Sequence, residues 1–136
     1  MATLPLPPSI SRLKLDDLVE RLGNDRGWSA TEARDAELWY RRFLALSYSR
    51  SRRPIYAISE LSDDLWHEHI LATKRYRADC QRIFKQYLDH TPVAGGRTRL
   101  GGTRLERARV MYEKAFGSAP MDLSEACYTP FRPPKR

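Results

Sequence analysis

From Leu61 to Leu88 the side chains that avoid water recur at helical spacing almost without interruption. Leu61, Leu65, Trp66, His69, Ile70, Thr73, Tyr76, Cys80, Phe84, Tyr87 and Leu88 keep the i, i+3, i+4 rhythm of one helix face. A single straight helix from Ser59 to Leu88 would be about 45 Å long, more than so small a domain needs. Thr73 is the natural place for one helix to end and another to begin. Two histidines sit inside this stretch, in "DDLWHEHI" at residues 63 to 70, so the same residues raise the question of a site.

The flanks read as more helix. Leu15, Leu18, Val19 and Leu22 predict a short helix that Gly23 stops. "SATE" places Ser29 at an N-cap and Glu32 three residues on, a capping box. Ala36, Trp39, Tyr40, Phe43, Leu44 and Leu46 then form an apolar face running to about Ser47. Pro54 breaks that helix, and Ile55 to Ile58 is the one candidate strand, too short and isolated to make a sheet. Ser59 or Ser62 can cap the next helix. "HTPVAGGRTRLGG" reads as a loop, followed by an amphipathic helix with Leu105, Ala108, Val110, Met111, Tyr112, Ala115 and Phe116. The expected architecture is all-α: a single compact bundle of about five helices over residues 12–117. An extended Pro-rich arm over 1–11 and an extended tail over 118–136 flank it.

At 136 residues the chain suits one domain with one core. No apolar run approaches the roughly 20 residues needed to span a bilayer, and "MATLPLPPSISR" lacks the pattern of a secretory signal. Cys80 and Cys127 are too few for a disulfide framework. A cytoplasmic, reduced protein without a membrane partner is expected. The formal net charge of +7 admits nucleic acid, through Arg50, Arg52, Arg53, Arg97, Arg99 and Arg104. Against this, the basic excess is almost all arginine, which a coding bias would also produce. Acidic residues are interleaved as in "LERARVMYEK", the pattern of a solvated helix face.

Several chemistries fail on spacing. A zinc-protease helix needs a second histidine four residues after His67, where Leu71 stands. The pair His67 and His69 resembles a metal-hydrolase His-x-His, but helix residues two apart do not face each other. "GGRTRLGGTR" lacks the Gly-Lys-Ser/Thr ending of a phosphate cradle.

What remains is a constellation along the long stripe. Asp63 and His67, four apart, share one face, so the carboxylate can accept from the imidazole. Trp66, His69, Thr73, Tyr76 and Cys80 lie on another face, turned inward. As core residues, His69 would be bonded to a backbone group or a tyrosine hydroxyl and Cys80 would be a small apolar filler. As metal ligands, Asp63, His67, His69, Cys80 and His90 would surround zinc or iron. That reading needs a fold-back near Thr73, because His69 and Cys80 on a straight helix stand about 16 Å apart. No cofactor is required by the core reading.

The string "DDLWHEHILATKRYRADCQRIFKQYLDHTP" also resembles the signature of the glycine-rich domain-containing protein family, through Asp63, Trp66, His67, His69, Thr73, Tyr76, Cys80 and His90. The upstream "YRRFLAL" and downstream "YEKAFGSAP" extend the resemblance over roughly residues 36 to 122. It departs at Lys85, where that family tends to have glycine, and the glycine-rich region itself is missing. The resemblance implies a stand-alone helical domain of undefined activity. Taken together, the first expectation is a non-enzymatic interaction module, partnered by another protein and organised around the Trp-His-x-His segment. A metal-binding protein or metal-dependent enzyme is the alternative, and nucleic-acid binding a second one.

Overall fold

A computed structural model describes residues 3–49, 55–57, 59–90, 103–122 and 128–129. Helices dominate it: α1 (Pro8–Ser11), α2 (Asp16–Arg26), α3 (Ala30–Ser49), α4 (Glu60–Leu71), α5 (Thr73–Phe84) and α6 (Thr103–Phe116). The all-α bundle is the observed architecture, with one helical turn more than the periodicity suggested. None of these helices is long and apolar enough to cross a membrane.

The extra turn is α1, inside the stretch read as an extended arm. Pro8 suits the first turn of a helix, where its missing N–H costs nothing. Arg41 of α3 seats this turn by donating to the carbonyls of Ile10 at 2.6 Å and Leu13 at 2.9 Å. Ile10 is thereby driven fully into the core. Local composition could not reveal this, because the anchor lies 31 residues away.

α2 carries Asp16 and Asp17 in its first turn and Arg26 in its last, each favourable to the helix dipole. The helix passes through Gly23, the expected stop, and ends at Gly27 with φ 69°. Trp28 folds back over Gly23, its N–H bonded to the Gly23 carbonyl at 3.0 Å. Gly27 is the residue that needs left-handed geometry. α3 begins as its sequence requires: Ser29 Oγ accepts from the Glu32 N–H at 3.1 Å, and the Ser29 N–H donates to Glu32 Oε1 at 2.9 Å.

α4 is capped by Ser59, whose hydroxyl accepts from the Ser62 N–H. Asp122, far along the chain, reinforces this end by accepting from Ser59 Oγ and from the Leu61 N–H. α4 packs most extensively on α3, with the Phe43 and Trp66 ring centroids 4.6 Å apart. Between α4 and α5 the backbone breaks at Ala72 (φ −83°, ψ 67°), and Thr73 is exposed as the first residue of α5, contributing no side-chain cap. The interruption falls one residue from its expected place.

Ile55–Tyr56 does form a strand, β1, paired antiparallel with β2 (Tyr128–Thr129) in the register Ile55 with Thr129 and Tyr56 with Tyr128. The segment is as short as expected, but its partner comes from the stretch read as a tail. Tyr112 of α6 fastens β1 by donating its hydroxyl to the Tyr56 carbonyl at 2.7 Å. The rest of that tail, beyond Asp122, and the glycine loop over 91–102 lie outside the described residues.

α5 ends on Lys85 at φ 61°, a left-handed conformation in a residue with a Cβ. That geometry costs an L-residue about 1–2 kcal/mol, and glycine adopts it freely. Lys85→Gly is expected to raise stability by about 1 kcal/mol, read as a higher urea midpoint with an unchanged m-value. A lower midpoint would mean that the Lys85 side chain outweighs the backbone strain.

Candidate metal centre

The residues of the Trp-His-x-His segment separate into an inward and an outward set. His69 and Trp66 are fully buried, whereas His67, between them, has a side chain 51% exposed. A helical rotation of about 100° per residue makes this separation unavoidable.

On the inward side His69 joins three helices. Its Nδ1 lies 2.6 Å from the Tyr40 hydroxyl of α3, and its Nε2 lies 2.8 Å from Asp79 Oδ2 of α5. A carboxylate can only accept, so Nε2 carries the hydrogen and Nδ1 accepts from Tyr40. Arg82 completes the network with a 2.7 Å contact to the other Asp79 oxygen. A second chain runs beside it: the Trp66 indole N–H donates to the Tyr76 hydroxyl at 2.9 Å, which donates to the Leu88 carbonyl at 2.6 Å. The Cys80 thiol is buried, which pushes its pKa up. Such a thiol is a poor nucleophile. Leu88, held through its carbonyl by Tyr76, determines where His90 emerges two residues later.

On the outward side Asp63 and His67 of α4 meet His90. Asp63 Oδ1 is 3.3 Å from His90 Nε2, and Asp63 Oδ2 is 3.9 Å from His67 Nε2. The two imidazole rings have centroids 4.3 Å apart, and His90 also packs on the Trp66 indole at 4.2 Å. Each histidine therefore faces its own oxygen of one carboxylate. The 3.9 Å separation is too long for the hydrogen bond that the i, i+4 spacing suggested. All three donor atoms lie within 4.8 Å of one another, the one such group of His, Cys, Asp or Glu side chains found among the described residues. Asp63 and His90 are largely sheltered, with side chains 15% and 13% exposed.

Of the five ligands considered from the sequence, the fold brings three together and separates two. The break at Ala72 bends the chain enough to bring Asp79 of α5 against His69 of α4. It turns His69 toward Asp79 and Tyr40 rather than toward Cys80, and both remain on the core side of α4 and α5. The tyrosine hydroxyl expected as one possible partner of His69 is that of Tyr40, whereas Asp79 was not expected. A histidine on an apolar stripe needs polar partners at both nitrogens, but nothing local identifies which ones. Thr73, in the same motif, faces solvent.

The arginines proposed for nucleic acid are not placed: Arg50, Arg52, Arg53, Arg97 and Arg99 lie outside the described residues, and of Arg104 only its position in α6 is described. Other arginines are committed to the fold. Arg21 pairs with Glu68 at 3.1 Å, Arg26 with Asp64 at 2.9 Å, and Arg75 with Asp17 at 2.7 Å. The Arg75 pairing holds the Asp17 carboxyl down at about 2. Arg42 lies over the Trp39 and Phe116 rings at 4.7 and 4.9 Å.

A helical bundle carrying one cluster of two histidines and a carboxylate is the class of protein defined by this geometry. The chain belongs to the UCP032817-like family, whose model matches residues 15–102, a range that spans α2 to α5 and includes Asp63, His67 and His90. No match was found among curated proteins or among solved structures. The family match overturns the resemblance to glycine-rich domain-containing proteins. The residues that carried that resemblance have their own reasons to be present: Trp66, His69, Tyr76 and Cys80 are buried and, as described above, tied into the core's polar network.

Burial holds the His69 imidazole below its ordinary pKa of 6.5, and Asp79 only partly opposes this. Above about pH 6.5 the group is neutral in folded and unfolded chains alike, and its full contribution to stability is present. Below that value the unfolded chain binds the proton first, so stability falls with pH until the folded pKa is passed. The wild type is expected to lose up to about 1.4 kcal/mol per pH unit from this group. His69→Gln should cost about 2–4 kcal/mol at neutral pH and flatten the slope, as measured by urea unfolding between about pH 7 and pH 5. An equally steep slope in the variant would assign the acid sensitivity to other groups.

Proposed function

We propose that this protein binds a divalent transition-metal ion, zinc or ferrous iron, through Asp63, His67 and His90. The reading is carried by the placement of one carboxylate with each oxygen facing a separate imidazole Nε2, at 3.3 and 3.9 Å. Donors that share a tetrahedral ion at about 2.0–2.1 Å sit about 3.3–3.4 Å apart. Asp63 Oδ1 and His90 Nε2 already stand at that spacing, at 3.3 Å, and one donor atom from each of the three residues lies within 4.8 Å of the others, with His67 half-exposed and able to rotate inward. Imidazole nitrogens with one carboxylate suit zinc or iron better than magnesium or calcium, which prefer all-oxygen sites.

Three protein donors leave at least one coordination position free, the arrangement of sites that exchange ligands rather than of purely structural ones. An adjoining cleft of about 610 Å³, lined by His67, Ile70, Leu71, Tyr87, Asp89 and His90, supplies the space. This reading is preferred over a protein-interaction module because three donor atoms converge here.

Tag-free protein, stripped with a chelator and titrated with zinc or ferrous iron by calorimetry, is expected to bind one equivalent. Asp63→Ala, His67→Ala and His90→Ala should each weaken binding by at least about 100-fold, while Cys80→Ser should leave it unchanged. Binding that survives all three substitutions, or no binding by the wild type, rejects the proposal.

A further inference from the structure

The cleft beside the cluster is built unevenly, and the unevenness has chemical content. Its lining includes the His67 and His90 rings. The rest combines Ile70 and Leu71, from the end of α4, with Tyr87 and Asp89, from the segment after α5. Leu71 is 74% exposed and Tyr87 43% exposed, both high for large apolar side chains. Tyr87 is held edge-on against buried Tyr76, with centroids 5.3 Å apart and planes at 85°. Tyr76 is itself locked between Trp66 and Leu88. Tyr87 is therefore a preorganised aromatic wall, and preorganisation lowers the cost of binding.

Charge narrows the ligand further. A divalent ion and its Asp63 carboxylate ligand carry a net charge of about +1 between them, which one anionic oxygen donor on the ion neutralises. Among the described residues the lining offers a second carboxylate, Asp89, and no lysine or arginine, which disfavours a phosphate or other dianion. The volume, about 610 Å³, lies within the range of clefts that enclose small organic ligands.

From this we infer that the cleft takes a small monoanionic oxygen-donor ligand carrying a planar apolar arm, its head on the metal and its arm against Tyr87, Ile70 and Leu71. The inference rests on the metal reading of Asp63, His67 and His90. Tyr87 and Leu71 are then the residues that determine specificity.

Acetohydroxamate and benzohydroxamate share one monoanionic chelating head and differ in the arm, so their affinities for the metal-loaded protein isolate the wall. Benzohydroxamate is expected to bind at least about tenfold tighter, since the added ring buries apolar surface at roughly 25 cal/mol per Å². Tyr87→Ala should abolish the preference while retaining the metal. Leu71→Ser, at a solvent-exposed position that leaves the core intact, should reduce it severalfold. Equal affinities on a protein that holds its metal would overturn the ligand assignment and leave the metal site standing. Inorganic phosphate competing better than benzoate would overturn it as well. Failure of the wild type to take up zinc or ferrous iron would remove the metal reading itself, and this inference with it.

Discussion

The pairing of His69 with Tyr40 on one side and Asp79 on the other holds the architecture in register. It links α3, α4 and α5 through two short hydrogen bonds in a space closed to water. A buried imidazole with an unmatched nitrogen would cost several kcal/mol, so neighbouring arrangements of these helices are penalised unless they supply both partners. The break at Ala72 follows from this. A helix continued straight past His69 would carry Asp79, ten residues on, about 15 Å away along its axis, and only a bend brings the carboxylate back.

From that bend the outer site follows. α5 packs with Tyr76 and Cys80 buried, and Tyr76 grips Leu88 through its carbonyl. The chain beyond α5 has no regular structure at 87–90, yet it is not free to wander, because Leu88 is anchored. His90 is delivered beside Asp63 and His67 by a core interaction in which it takes no direct part. Its packing on Trp66 couples the site to the same hydrogen-bonded chain. A polar core here does two jobs: it selects one packing of the helices, and it orients a surface cluster.

The candidate site divides between what was readable locally and what was not. Asp63 and His67 share a face by arithmetic, as do the opposed directions of His67 and His69. His90 was named as a ligand from its residue type, and its closeness to Asp63 depends on a loop whose path no local pattern specifies. Cys80 and His69 were drawn into the same ligand set because cysteine and histidine are good donors. Their burial with satisfied partners makes them core residues. Residue chemistry proposes ligands, and only the relative placement of elements separates donors that converge from donors that are already engaged.

The helical class, the capping box at Ser29 and Glu32, a serine cap at Ser59 or Ser62 and the interruption near Thr73 were all determined by the sequence alone. Each depends on hydrogen bonds or periodicities within a few residues, which a linear pattern records directly. The seating of α1 by Arg41, the pairing of Ile55–Tyr56 with Tyr128–Thr129, the partners of His69 and the union of His90 with Asp63 were decided by tertiary structure. These contacts join residues from 10 to more than 70 positions apart, where many pairings are chemically equivalent and only the packing of the whole core selects among them.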